Sequence, residues 1–465
     1  MAVAATAVWA LEQEARALLT RLARVRPFAL QFPQVVAAAV SPQAQEAIER
    51  YLARGRRDLR HLVFSYLRWL RGPLGRTALP AVMQRRFTFL RIRFNAVLSQ
   101  FDIFADVLAQ RSQHDFGVWI SGLDAVAADA LALPGVYKSP PVVCYLDRGH
   151  GAAIRRARTR LPGGGDNPVA IVRVPRERMV GSGVASSLVH EVGHQAAALL
   201  DLANSIRPML QGMQRKGGSE QRAWGLWERW ISEILADFWS IARVGVAATM
   251  GLMGVVSLPR PFVFRFQLDD PHPFPWIRMK LSCAIGQTLF PHPQWQAISR
   301  MWESFYPRTG LQDEVRKVIT ELLDTMPGFV GLLANYRPRS LRGKSLVEAL
   351  RVAERQPARL TGYFRVWSRA PRRMRAAPPS LAFAVIGQAR SEGRITPEEE
   401  SRTIAELLNH WALISTFAFA HRPVRPRLRS WLGRSVRSRW PRAGWAAQPR
   451  FSFSAVRALE TAITD

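Results

Sequence analysis

Apolar residues recur at helical spacing over 9–24, 42–70 and 82–110, so residues 1–135 read as long helices with joints at Pro80 and Gly122. At Leu133-Pro134-Gly135 the pattern changes. Residues 142–146 and 169–174 are short β-branched runs and predict two strands. The basic run 155–160 between them is expected as a solvated helix face, followed by a Gly/Asn/Pro turn over 163–168. Pro168 and Pro175 bound the second run, so 169–174 is expected as the sheet edge, where an extended peptide can pair. Residues 184–206 are apolar or small apart from one polar cluster, and a helix apolar on every side is a buried one. After Pro291 the helical period returns, most plainly where Thr396-Pro397-Glu398-Glu399 opens a run of Ile404, Leu407, Leu408 and Trp411. The expected fold is α+β and mostly α, with a small sheet. It is expected as a helical N-terminal region 1–135, a core 136–290, a helical region 291–420 and a tail 421–465.

Composition refines this picture. A chain of 465 residues, 48% of them hydrophobic, has room for two or three domains and a substantial core. The first ten residues lack a basic segment followed by a long apolar one, so no signal peptide is expected. The best membrane candidate, 244–258, is 15 residues long, short of the ~20 a spanning helix needs. It is expected as a buried helix continuing from the one before it, with no transmembrane segment and a cytoplasmic location. The two cysteines, Cys144 and Cys283, exclude a four-cysteine zinc ribbon. The net charge is +30, and only five of the 65 basic residues are lysine. No acidic residue occurs over 407–459, where Arg422 to Arg442 alternate with Trp431 and Trp440. Residues 422–450 are therefore an expected contact for nucleic acid, anionic lipid or an acidic protein.

The polar cluster in the apolar helix is His190-Glu191-Val192-Gly193-His194. Residues four apart share a helical face, so both imidazoles can bind one Zn²⁺, and Glu191 projects beside it to take a proton from a metal-activated water. A catalytic zinc needs a third protein ligand. Ala197 and Leu200 stand where a metzincin would carry Gly and His. Met213 and Gln214 stand about twenty residues on, where a thermolysin-like enzyme would carry Glu. Further along, Glu233 and Asp237 are four apart in a strongly apolar segment. They suit a carboxylate ligand with a second carboxylate orienting a ligating imidazole. The alternative is a solvated pair on an amphipathic helix. Glu220 and Glu228 lack such a partner. His150, in the loop after the first strand, is a further candidate to overhang the cleft.

In their order, HExxH at 190–194, Glu233-x-x-Ala236-Asp237, and His272-Pro273 with Arg278 six residues after that His resemble the gluzincin metallopeptidases of the HtpX and CAAX-prenyl-protease type. The resemblance covers residues 190–278 and implies a zincin-like core. It implies Glu233 as third zinc ligand and Asp237 behind the ligands. It also implies His272 or Arg278 near the cleft, polarising the substrate carbonyl or supporting the site. Many members of that family are multi-pass membrane proteins, and no such spans are expected here. The expected function is a zinc-dependent metalloendopeptidase acting on a protein or peptide. The alternatives are a metal-binding structural or adaptor protein without useful turnover, and a polyanion-binding protein acting through its Arg-rich tail.

Overall fold

Ser41 opens the second of three long N-terminal helices by accepting the Ala44 N–H at 3.2 Å, and Pro42 fills the first helical position, where its missing donor costs nothing. A computed structural model describes residues 2–25, 34–148, 152–161, 165–176, 181, 183–216 and 218–420. The three helices, Ala2–Arg24, Pro42–Arg71 and Pro80–Ala109, pack on one another. The middle one buries Ile48, Leu52, Leu59, Val63 and Leu70, spaced one or two helical turns apart. Pro80 does mark a joint. Gly122 does not: it lies inside the helix His114–Leu131. A Cβ there would sit 2.4 Å from the Leu408 carbonyl oxygen, so the glycine permits a close crossing with the last described helix, Pro397–Ala420. That helix opens with the expected reciprocal cap, Thr396 Oγ1 accepting the Glu399 N–H while Glu399 accepts the Thr396 N–H.

The sheet has three strands in the order β1-β3-β2. These are β1 (Val142–Asp147), β2 (Ala153–Arg155) and β3 (Ala170–Pro175). β1 and β3 are parallel, and β2 runs antiparallel to β3. Two expectations are corrected here. The 169–174 run forms the central strand, not an edge, because β2 pairs along its other side. The basic run 155–160 is the end of β2 and a turn, not a helix. Arg158 adopts φ 63°, and the Asn167 side chain donates to the Arg155 and Arg156 carbonyls, so a loop satisfies this backbone instead of a helical ladder.

Both faces of the sheet are covered, which explains why its two longer strands are apolar without alternation. Val143 and Ile171 pack toward the N-terminal helices, while Cys144, Val172 and Val174 pack toward the larger core. The outer edge of β1 is closed by side chains. Asp124 accepts the Cys144 N–H at 2.7 Å, Arg111 donates to the Cys144 carbonyl at 2.7 Å, and Gln110 bonds both backbone groups of Leu146. β2 is therefore the edge on which, among the described residues, no further strand lies.

Beyond the sheet the structure is helical. The helix expected over 184–206 is two helices, Gly183–Leu199 and Leu202–Lys216, separated where Asp201 turns to φ 51°. The continuous run expected through 244–258 likewise breaks at Gly245, whose φ of 61° suits only glycine comfortably, giving Ile231–Val244 and Val246–Val256. The second of these is mostly buried, as expected. No helix among the described residues is long and apolar enough to cross a membrane. Residues 1–420 form one compact unit. Residues 421–465, with the expected anionic contact at 422–450, and His150 lie outside the described residues.

Candidate metal centre

The helix Gly183–Leu199 lies under the sheet with Leu188, Val189, Val192 and Ala196 fully buried, while His190 and Glu191 line a cleft and His194 stays partly exposed beside them. Gln195 ties it to the loop after β2 by accepting the Ala157 N–H at 2.7 Å. The helix Ile231–Val244 crosses it at very short range. A Cβ on Gly193 would lie 2.8 Å from Ala236 Cα, so the crossing exists only because the HExxH segment carries glycine there.

This crossing aims Glu233 at both histidines. Glu233 Oε2 lies 3.2 Å from His190 Nε2 and 3.4 Å from His194 Nε2. One nitrogen of each imidazole and one oxygen of Glu233 all fall within 4.8 Å of one another, a grouping that can hold a metal ion. Asp237, one turn further on, takes the other side of His190, with Oδ1 2.7 Å from Nδ1. An N–H donated from Nδ1 leaves the Nε2 lone pair facing Glu233 and His194, the orientation a ligating imidazole needs. The donor set of two imidazoles and a carboxylate, with a carboxylate behind one imidazole, fits zinc.

Asp237 is held in turn by Arg278, from the helix Pro275–Leu289, which donates through Nε to Oδ2 at 2.7 Å and through Nη2 to Oδ1 at 2.9 Å. The guanidinium fork is thus engaged behind His190, on the far side of Asp237. Of the two roles expected for Arg278, support of the site matches this placement. His272 sits on the open side, its Nε2 3.1 Å from Glu233 Oε2 and its Nδ1 2.8 Å from Asp270 Oδ1. Asp270 also accepts the His272 backbone N–H, so this loop is folded around its own carboxylate.

The ionisable groups of the site shift one another's pKa values. Burial alone would lower the His190 pKa, but the Asp237 and Glu233 carboxylates outweigh it and push it up to about 9. Burial opposes ionisation of Glu233 as well, yet His190, His194 and His272 hold its carboxyl far below the usual range. Asp237 is similarly depressed, with Arg278 overcoming its burial. Glu191 behaves differently. Burial raises its pKa, since its histidine neighbours only partly offset the loss of water. The cleft beside these groups has a volume of about 160 Å³ and is walled by Ser186, Ile241, Leu252 and Val255, with Ala152 at the start of the β2 edge.

The structure brings together His190, Glu191, His194, Glu233, Asp237, His272 and Arg278. It leaves the rejected carboxylates elsewhere: Glu220 accepts from the Trp224 indole, and Glu228 from Gln211. Sequence reasoning missed Asp270, Gln195 and the β2 edge. Only Asp270 left a local signal, an aspartate two residues before a histidine at a proline-containing turn. Comparisons with known protein families, with curated proteins and with solved structures return no match.

Proposed function

We propose that this chain is a zinc-dependent metallopeptidase with a zincin-like core of the gluzincin type. The observation that carries the proposal is the convergence of His190, His194 and Glu233 within 4.8 Å, backed by the Asp237–Arg278 pair, with Glu191 at the wall of the same cleft. His190, His194 and Glu233 hold the ion. When bound, zinc supplies a Lewis acid that acidifies a water molecule and polarises a carbonyl group.

The protein's own groups do the rest. Glu191 takes the proton of the attacking water and passes it to the leaving amine. Asp237 fixes the ring of His190, and Arg278 fixes Asp237, so the ligand geometry is set before substrate arrives. His272, on the open side, is placed to donate toward a substrate carbonyl when Glu233 is engaged by the ion. The open edge of β2 leads into the cleft at Ala152 and offers main-chain hydrogen bonds to an extended peptide. The apolar wall of Ile241, Leu252 and Val255 favours a medium-sized aliphatic side chain next to the scissile bond.

The test combines metal analysis of the purified chain with identification of new termini after incubation with a proteome-derived peptide library. The parent is expected to carry one zinc per chain and to generate a defined set of termini. Glu191→Gln is expected to keep the zinc and to lose at least about a hundredfold in rate, because an amide accepts no proton. Equal cleavage by parent and variant would overturn the proposal.

A further inference from the structure

Between Asp58 and Asp102 the chain carries eight arginines and no carboxylate. This segment is the end of the second N-terminal helix, the short helix Pro73–Thr77 and most of the third helix. It also holds much of the exposed apolar surface: Leu74 is 74% exposed, Leu79 70% and Ile92 58%. On the helix Pro80–Ala109, Met83, Phe87, Leu90 and Phe94 form the buried stripe. Val82, Arg85, Phe89 and Ile92 recur at helical spacing on the outer side. The helix is thus apolar on two sides, and its core packing explains only one. Arg86 lies over the Trp69 ring at 4.4 Å and Arg85 over Phe89 at 6.0 Å, so cations and rings are interleaved. Trp9, 65% exposed, joins the same end of the bundle, because Glu12 one turn later pairs with Arg71 at 2.5 Å.

We propose that this end of the N-terminal bundle is a docking surface for an anionic lipid membrane, with Leu74, Leu79, Val82 and Ile92 entering the acyl boundary and Arg76, Arg85 and Arg93 meeting headgroup phosphates. Aliphatic side chains gain nothing from phosphate contacts or base stacking, which sets this surface apart from a nucleic-acid groove. They gain by leaving water at a headgroup–acyl boundary, where flanking arginines reach outward to the phosphates. No carboxylate within residues 59–101 repels an anionic bilayer, and Glu12 on the neighbouring helix is neutralised by Arg71. An apolar patch of this kind on a folded unit marks an interaction site.

The test uses the full chain in co-sedimentation with phosphatidylcholine vesicles, with and without about 30% phosphatidylserine. The parent is expected to bind the anionic vesicles. Two triple variants, Leu74→Ser/Leu79→Ser/Ile92→Ser and Arg76→Gln/Arg85→Gln/Arg93→Gln, are each expected to lose at least about tenfold in partitioning while keeping their circular dichroism. Serine at Met209, Leu258 and Phe305, exposed elsewhere, is expected to leave binding unchanged. A solvatochromic dye on Leu74→Cys is expected to shift to the blue on anionic vesicles. Parent-level binding by both triple variants would place any lipid affinity elsewhere and overturn the proposal. An unshifted dye would overturn it too, as would a parent that binds oligonucleotides but not vesicles.

Discussion

Gly193 and Ala236 are the contact on which the candidate metal centre turns: with no side chain on one and a methyl group on the other, the helices that carry His190 and Glu233 approach until a Cβ on Gly193 would lie 2.8 Å from Ala236 Cα. Gly193→Ala is therefore expected to push the helices apart and draw Glu233 away from both histidines. The expected cost is about 1–3 kcal/mol of stability, typical of overpacking against backbone, together with weakened zinc binding. Thermal unfolding and competition with a chromogenic zinc chelator measure the two effects. Unchanged values in both would mean that the crossing relaxes freely.

The third ligand is tested by removing it. Glu233→Ala is expected to bring zinc content from about one per chain to well below half, since two imidazoles alone make a weak site. Glu220→Ala and Glu228→Ala are expected to keep the parent's content, because both carboxylates are occupied elsewhere. Full retention in Glu233→Ala would move the ligand role to another group, with His272 the nearest.

Asp237 and Arg278 are buried together and should fail separately but recover together. Removing one partner strands the other charge in the interior, with an expected loss of about 3–5 kcal/mol for Asp237→Ala or Arg278→Ala. Asp237→Asn keeps the shape and is expected to lower zinc affinity by ~10–100-fold, through loss of the charge behind His190. A double-mutant cycle followed by chemical denaturation measures the coupling. A coupling energy near zero would contradict the ion pair.

The two cysteines are expected to be chemically silent in the folded protein. Both are buried, and burial pushes the Cys283 thiol up to about 12 and the Cys144 thiol well above its ordinary value. A disulfide reagent at pH 8 should therefore report close to zero thiols in the native chain and two after denaturation. Rapid native labelling of either would show that its surroundings open locally.

Part of this protein could be read along the chain. HExxH, the Glu233/Asp237 spacing, the Thr396 cap and the long N-terminal helices are all local patterns, written in residues within a few turns of one another. Helical period and capping act at that range, so the sequence alone determines them. What it could not determine was set by neighbours distant in the chain. The 169–174 run has the proline-bounded look of an edge strand, yet it is central, because the short strand β2, from a separate run of the chain, pairs along its other side. Residues 155–160 look helical by charge, but Asn167 ties down their carbonyls from eleven and twelve residues away. The resemblance marks Arg278 as near the cleft, but only the fold sets it against Asp237. Gly122 reads as a break and Gly193 as a motif filler, and each is small because another helix passes within contact distance. Covalent neighbours decide secondary structure, whereas burial and the obligation to pair every buried charge are settled only when remote segments meet.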